Sequence, residues 1–215
     1  MNLASYIDHT VLKADCNKQA IETLCNEALA HQFVAVCVPP YFVRTARKYL
    51  EDSAIKVATV IGFPMGYSAI PAKVEEIKRA IIDGVDELDV VVNICAVKNG
   101  DWAHVRNEVD SITRAAHLKG KIIKLIFETS LLDEKEMEQL CSLCSEIELD
   151  YVKTSTGFNG EGAKVETIKF LRSHLADRIK IKASGGIRSR EDAEKMIEAG
   201  ASRLGSSSGV KIVSS

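Results

Sequence analysis

Four charged side chains interrupt segments that otherwise have the apolar, β-branched composition of buried strands. They are Asp89 in ELDVVVN, Lys124 in IIKLIFET, Lys153 in DYVKTSTG and Lys182 in IKIKASGG. A buried charge is costly unless it is paired or neutralised. Burial and a nearby cation both lower the pKa of an amine, by about 3–5 units for a fully buried group, and only the neutral amine attacks a carbonyl. The four residues therefore indicate a site that uses amine chemistry.

These residues belong to a chain in which predicted strands alternate with predicted helices. A short run at 5–10 would be one strand, and seven β-branched runs are further strands, at 33–39, 56–63, 87–93, 121–129, 150–156, 179–184 and 202–207. Amphipathic helical patterns separate them, among them 21–32, 72–84, 104–120, 133–148, 165–175 and 189–200. Strict alternation indicates parallel strands, and eight strands in 215 residues favour an α/β fold of the (β/α)8 TIM-barrel type over an open doubly wound sheet. No linker or repeat divides the sequence, so we expect a single domain over residues 1–215.

Several helix ends are marked by residues with characteristic roles. Ser189 followed by Asp192 is typical of a capping box. Gly84, Gly120 and Gly200 each follow a helical pattern, where glycine commonly ends a helix. After the last predicted strand, the final helix would be very short.

Strand periodicity predicts which way the charged residues point. Alternate residues of a strand share a face, so the apolar residues around each charge should pack beneath the helices. The lumen would then hold Asp89, Lys124, Lys153 and Lys182 on four successive strands, toward the C-terminal face where barrels carry their chemistry. The alternative is that some lysines reach solvent at a strand end or form a structural ion-pair cluster, and Lys180 is the lysine that best fits a structural role.

Glycine- and serine-rich loops follow the last two predicted strands, at 183–188 and 205–209. Glycine lets backbone amides approach an anion closely, and the loops after strands seven and eight of many barrels bind phosphate. A third loop, 155–160, contains Thr156 and Gly157 and could add donors on the same side. The sequence therefore predicts a substrate with a phosphate at one end and a carbonyl near the lysines.

The residue types suggest how the charged set divides its roles. Of two lysines on adjacent strands, one can be the nucleophile and the other the cation that lowers its pKa. We expect Lys153 to be the nucleophile and Lys182 the neighbouring cation and proton carrier. Asp89 could hold a water or a substrate hydroxyl and move protons, and Lys124 could orient Asp89 by ion pairing.

Composition gives no reason to expect several other classes of protein. A formal net charge of −2 does not favour nucleic acid or an anionic membrane as a partner. No apolar run approaches a membrane span or a secretory signal, so a cytoplasmic protein is expected. The six cysteines are expected to be free thiols, and Cys141 and Cys144 fit helix packing better than a metal or redox site. The face on which Cys37 lies is undecided by the pattern.

Five segments, YIDHTVLKAD, ELDVVVN, VKTSTGF, KASGGIR and RLGSSSG, resemble the deoxyribose-phosphate aldolase family in its short bacterial form. The resemblance extends over about residues 5–212 and keeps the order and spacing of the motifs. It implies a (β/α)8 barrel that reversibly cleaves 2-deoxy-D-ribose 5-phosphate to D-glyceraldehyde 3-phosphate and acetaldehyde. It also implies that the reaction needs no metal or other cofactor, and that the enzyme could form a homo-oligomer.

The resemblance also implies roles for individual residues. Lys153 would form the Schiff base, Lys182 would be the second lysine, and Asp89 would donate and accept protons through water. The phosphate contacts would come from Gly185, Gly186, Ser207 and Ser208. Asp8 lies in a motif typical of the family and is a candidate for substrate contact.

Other functions remain open at this point. The nearest alternative is another Schiff-base aldolase that acts on a keto sugar phosphate. A second is a sugar-phosphate isomerase or lyase without a covalent step, in which the lysines only bind phosphate. A third is a non-catalytic barrel that binds a phosphorylated metabolite.

Overall fold

The computed structural model describes residues 1–214, which form a closed barrel of eight parallel strands in sequential order. The first strand pairs with the last, so the predicted (β/α)8 barrel is confirmed. The strands are Ile7–Thr10 (β1), Ala35–Val38 (β2), Lys56–Ile61 (β3), Glu87–Val91 (β4), Ile122–Ile126 (β5), Tyr151–Lys153 (β6), Lys180–Ser184 (β7) and Arg203–Ser206 (β8). All eight strands are shorter than the predicted runs, by one to four residues.

The described residues contain nine α-helices and three 3-10 helices. The α-helices are Lys18–His31 (α1), Val43–Tyr49 (α2), Ile70–Ile82 (α3), Ile94–Lys98 (α4), Trp102–His117 (α5), Glu134–Ile147 (α6), Val165–His174 (α7), Arg190–Glu198 (α8) and Gly209–Ser214 (α9). The 3-10 helices are Leu3–Tyr6, Pro40–Phe42 and Thr129–Leu131. The sequence did not predict α2 and α4, which are too short to show a clear helical period.

The predicted helix ends are confirmed by backbone geometry. The Ser189 side chain accepts from the Asp192 N–H, and the Asp192 side chain accepts in return from the Ser189 N–H. Gly84, Gly120 and Gly200 all have positive φ after α3, α5 and α8. Glycine adopts this conformation without the steric cost that a Cβ atom would bring.

The strands separate an apolar layer from a charged lumen, as their periodicity predicts. On β5, Ile123 and Leu125 lie in the main hydrophobic core beneath the helices. Lys124 lies between them on the opposite face and is fully buried. Strand register places Asp89 beside Lys124. It also places Lys153 beside Lys182 on the neighbouring pair, whereas Lys124 lies beside Tyr151, two residues before Lys153.

A buried ion pair lies outside the barrel wall, between α3 and α5. The Lys73 ammonium contacts Glu108 Oε1 at 2.5 Å and donates to the Val91 carbonyl at 2.7 Å. Glu108 Oε2 accepts from the Asn93 N–H at 2.8 Å. Both side chains are fully buried, so each charge is compensated by its partner and by the backbone. The pair fixes two helices to the C-terminal end of β4, the strand that carries Asp89.

The structure also bears on the expected free thiols and on the classes of protein that the composition did not favour. The six cysteines are free, and Cys141 and Cys144 are buried in α6, in agreement with the predicted helix packing. Among residues 1–214, no group of three His, Cys, Asp or Glu side chains could hold a metal ion. In the same residues, no helix has the length and apolar character needed to cross a membrane.

Candidate active site

The three lumen lysines meet at one carboxylate. Asp89 Oδ2 accepts from the Lys153 ammonium at 2.8 Å and from the Lys182 ammonium at 2.7 Å. Asp89 Oδ1 accepts from the Lys124 ammonium at 2.9 Å. All four side chains are buried. The structure therefore brings together the residues that strand periodicity predicted, and the expected ion pair between Lys124 and Asp89 is confirmed.

Two further charged residues, Glu87 and Arg203, extend this group toward the N-terminal end of the barrel. Glu87 Oε2 lies 2.6 Å from the Lys124 ammonium, and Arg203 Nη1 donates to Glu87 Oε2 at 3.1 Å. Arg203 Nη1 also donates to Asp8 Oδ1 at 2.7 Å, while Asp8 Oδ2 forms a close ion pair with Lys182. Sequence reasoning missed both Glu87 and Arg203. The period of two could have found Glu87, because it shares a face with Asp89 two residues later.

These residues form a continuous ion-pair network, which we call the lumen cluster. Within residues 1–214 it contains four basic and three acidic side chains: Lys124, Lys153, Lys182, Arg203, Asp8, Glu87 and Asp89. One base is therefore in excess. If one lysine loses its proton, the lumen cluster as a whole becomes neutral.

Electrostatics fix the protonation of most of this cluster. Burial alone would raise the pKa of Asp89, but Lys124, Lys153 and Lys182 outweigh it and hold the pKa well below its usual value. Burial likewise opposes the charge of Asp8, yet Lys182 and Arg203 lower its pKa to about 2. Burial would lower the pKa of Lys182, but Asp8 and Asp89 raise it above the ordinary value. Asp8 and Asp89 are therefore carboxylates, and Lys182 is a cation.

Three cations surround the ring of Tyr151 at the lower end of the lumen. The Lys124 and Lys180 ammonium groups and the Arg203 guanidinium lie 5.8, 5.7 and 5.7 Å from the ring centroid. Such distances allow cation–π attraction. Lys180 is exposed at the start of β7 and makes no ion pair in the lumen cluster, which agrees with the structural role expected for it.

Lys153 opens onto a cavity of about 260 Å³ at the C-terminal face of the barrel. Its wall includes five residues that the sequence predicted as substrate or phosphate contacts, namely Thr156, Gly157, Gly185, Gly186 and Ser207. The wall also includes Lys13 and Arg188, which sequence reasoning did not single out. Both are exposed basic residues next to the glycine-rich loops, so they add positive charge where an anion was predicted.

Comparison with known proteins places the chain in a family. Residues 2–214 match the family described as DeoC/LacD family aldolase. The chain belongs to this aldolase family. It is 49% identical over 213 residues to the deoxyribose-phosphate aldolase of Caldicellulosiruptor saccharolyticus, covering 99% of this chain and 97% of that protein. It is 47% identical to the corresponding protein of Thermococcus gammatolerans, covering 99% and 96% of the two chains.

Solved structures of aldolases share the fold of this chain. The deoxyribose phosphate aldolase of Aeropyrum pernix, which is described as tetrameric, superposes with a TM-score of 0.92 at 33% identity. The match covers 99% of this chain and 89% of that one. A protein described as QR15, an aldolase, superposes with a TM-score of 0.94 at 39% identity, covering 99% and 94%. The resemblance noted in the sequence motifs is therefore confirmed at the level of the family.

Two residues expected to contact substrate lie outside the cavity wall of the aldolase. Asp8 is fully buried, and both of its oxygens are engaged by Lys182 and Arg203 beneath the cavity. Ser208 lies just before α9, where its N–H donates to Ser206 Oγ at 2.9 Å. The position of a residue in a motif does not show whether its side chain lines the cavity or supports the residues that line it. The substrate contacts expected for Asp8 and Ser208 stay predictions, and the structure places Asp8 in the lumen cluster.

The structure also settles which face of β2 carries Cys37. Its side chain packs with Ala58 and Val60 in a small apolar group separate from the main core. This group lies on the lumen side, where burial raises the pKa of the Cys37 thiol to about 11. Cys37 is therefore a protonated thiol beside the lumen cluster at neutral pH.

Proposed function

We propose that this aldolase reversibly cleaves 2-deoxy-D-ribose 5-phosphate to D-glyceraldehyde 3-phosphate and acetaldehyde through a Schiff base on Lys153. One observation carries the assignment of the nucleophile. Of the four cations in the described lumen cluster, Lys153 alone lines the cavity, and it contacts one carboxylate where each of the others contacts two. Lys153 is therefore the amine that a carbonyl can reach. It is also the lysine whose loss of a proton would break the fewest ion pairs.

The balance of charge in the lumen cluster is compatible with an amine nucleophile. The cluster has one base more than it has acids, so the loss of one proton leaves three cations facing three carboxylates. Lys182 lies on the neighbouring strand and stays protonated, since Asp8 and Asp89 raise its pKa. A second cation next to a lysine is one of the arrangements by which enzymes activate an amine nucleophile.

The covalent sequence follows from the chemistry of the iminium. Lys153 adds to C1 of the open-chain sugar, and loss of water gives an iminium that accepts electrons. A base removes the C3 hydroxyl proton, the C2–C3 bond breaks, and its electron pair forms the enamine on C1 and C2. C3 becomes the aldehyde of glyceraldehyde 3-phosphate. Protonation of the enamine at C2 and addition of water to the iminium then free Lys153 and release acetaldehyde.

We assign two residues of the lumen cluster to proton transfer and a third to holding the carboxylate in place. We assign Asp89 to hold a water or the C3 hydroxyl and relay protons, because it lies 2.8 Å from the reacting amine. Lys182 is a cation 2.7 Å from the same oxygen and can supply a proton to the intermediate. Lys124 engages the other oxygen of Asp89 and fixes the orientation of the carboxylate.

The far side of the cavity is suited to the phosphate. Gly185 and Gly186 have φ of 87° and 79°, a conformation that exposes backbone amides and that residues with a Cβ rarely adopt. Ser207, Thr156 and Gly157 border the same space. Lys13 and Arg188 add positive charge at its rim. We therefore assign this wall to the phosphate, which directs C1 of the sugar toward Lys153.

We extend the proposal to a cytoplasmic homo-oligomer, in keeping with the tetramer described for the Aeropyrum pernix relative. The free thiols and the phosphorylated substrate both suit the cytoplasm. Sedimentation of the purified chain would test the assembly, since a monomer at micromolar concentration would contradict it.

The overall activity is tested by its products. The purified enzyme should release acetaldehyde and glyceraldehyde 3-phosphate from 2-deoxy-D-ribose 5-phosphate, detected by coupled reduction with a nicotinamide cofactor, and EDTA should leave the rate unchanged. A Schiff-base aldolase for keto sugar phosphates would instead release a ketone from a keto sugar. Absence of acetaldehyde, or strong inhibition by EDTA, would contradict the proposal.

A further inference from the structure

Glu128 is a fully buried carboxylate just after β5, and it has no part in the steps above. Its backbone is left-handed, with φ of 53° and ψ of 59°, which is uncommon for a residue with a side chain. Glu128 does not line the cavity. A buried acid in a costly conformation persists only where the surrounding structure compensates it.

That compensation comes from the loop after β6. Glu128 Oε1 accepts from the Thr156 N–H at 3.1 Å, and Oε2 accepts from the Thr156 hydroxyl at close distance. Oε2 also accepts from Asn159 Nδ2 at 3.2 Å. One carboxylate therefore takes three hydrogen bonds from residues 156 and 159, and charge-assisted bonds of this kind are stronger than neutral ones.

The loop after β6 also makes hydrogen bonds within itself and to neighbouring segments. The Thr156 hydroxyl oxygen accepts from the Phe158 N–H at 3.0 Å. Asn159 Nδ2 also donates to the Pro64 carbonyl at 3.1 Å, and the Asn159 carbonyl accepts from Ser130 Oγ at 2.9 Å. Thr156 and Asn159 thus link the loop to neighbouring segments on two sides, and Glu128 lies at the centre of these contacts.

The position of the loop determines the shape of the cavity. Thr156 and Gly157 form part of its wall, three and four residues after Lys153. The Thr129 N–H donates to the Thr154 carbonyl at 2.9 Å, so Glu128 lies where β5 and β6 continue side by side beyond the barrel. A shift of Glu128 would therefore move the part of the wall that lies next to the glycine loop at 185–186.

We infer that Glu128 is a positioning residue that holds Thr156 and Gly157 in the geometry that binds the phosphate end of the substrate. The inference rests on the proposed function, which assigns this wall to the phosphate. Glu128 acts through the loop and does not touch the substrate. Its loss should weaken binding of a phosphorylated substrate and leave the chemistry at Lys153 intact.

A carboxylate is required at position 128 because all three groups that hydrogen-bond to it are donors. In Glu128→Gln the amide keeps the shape of the side chain and one acceptor oxygen. Its NH₂ group then faces Asn159 Nδ2 or the Thr156 N–H, so a donor meets a donor. The matched control is Glu198→Gln, which removes one carboxylate from an exposed position at the end of α8.

The test compares 2-deoxy-D-ribose 5-phosphate with unphosphorylated 2-deoxy-D-ribose for the wild type, Glu128→Gln and Glu198→Gln. For Glu128→Gln, KM for the phosphorylated sugar should rise about tenfold, the loss expected for a broken buried hydrogen bond to a charged group. Its kcat, and its kcat/KM for 2-deoxy-D-ribose, should stay at the wild-type values. Glu198→Gln should behave as the wild type with both sugars.

Two results would overturn the inference. One is an equal loss of kcat/KM with both sugars, and the other is an unchanged KM for the phosphorylated sugar. Should Glu128→Gln fold poorly, Asn159→Ala removes one of the three donors from the partly exposed side of the loop and must give the same selective rise in KM. Failure of the wild type to cleave 2-deoxy-D-ribose 5-phosphate would instead contradict the proposed function.

Discussion

Asp89 accepts hydrogen bonds from three lysines, and the protonation of those lysines determines what it can do. Because its pKa is held well below the usual range, Asp89 is a carboxylate at neutral pH. A permanently charged carboxylate is a weak base by itself, but it orients a water or a hydroxyl and stabilises a proton on a neighbouring amine. In the proposed mechanism, Asp89 therefore relays protons between the intermediate on Lys153 and the Lys182 cation.

Replacing Asp89 should slow the proton-transfer steps. In Asp89→Asn one oxygen remains for three lysine ammonium groups, so kcat should fall by about 10²–10⁴-fold. The direct readout is exchange of the acetaldehyde methyl protons in D₂O, followed by NMR, since this exchange requires the enamine. The exposed Asp52→Asn variant serves as control. Wild-type exchange in Asp89→Asn would exclude Asp89 from the relay.

Strands are the elements that made most of the site predictable. A charge in an apolar run is visible in the sequence, and the period of two gives its face, so Asp89, Lys124, Lys153 and Lys182 could be assigned to one lumen. Arg203 was missed because its strand, Arg203–Ser206, is short and carries little apolar pattern. Glu128 was missed as a positioning residue because its role depends on a left-handed turn and on a loop that follows another strand.

The loop after β7 gives a prediction that distinguishes backbone strain from steric overlap. Gly185 and Gly186 both have positive φ, so alanine at either position should be strained by about 1–2 kcal/mol. A Cβ on Gly185 would also lie 2.8 Å from Gly162 Cα, whereas no described atom lies within 4 Å of a Cβ on Gly186. Gly185→Ala should therefore lower the free energy of unfolding more than Gly186→Ala. Urea unfolding measures the difference, and equal losses would contradict this account of the loop.

The whole barrel is needed to assemble the lumen cluster. Asp8 and Lys182 are 174 residues apart in sequence and meet only because β1, β7 and β8 close the sheet. Which of many acids and bases will pair across a closed lumen cannot be inferred from local pattern. The sequence could therefore predict the fold and the central charges, while the pairing of Arg203 with Asp8 and Glu87 required the structure.

The cluster couples stability of the whole molecule to pH. The folded pKa of Asp8 is about 2, below its ordinary value of 3.8, so the unfolded chain binds the additional proton first. The stabilisation from Asp8 is fully present above about pH 4 and is lost as the pH falls toward 2, with a magnitude of about 2 kcal/mol. Urea unfolding between pH 5 and pH 2.5 should show this decline. The decline should be shallower in Asp8→Asn, and an identical slope would contradict the assignment.

The central claim is that Lys153 carries the covalent intermediate, and reductive trapping tests it most directly. The enzyme is incubated with acetaldehyde and borohydride, digested, and analysed by peptide mass spectrometry. The account predicts an N-ethyl adduct on Lys153, and it predicts that Lys153→Arg loses both the adduct and turnover. An adduct on Lys182 or Lys124 with Lys153 unmodified, or normal turnover by Lys153→Arg, would contradict it.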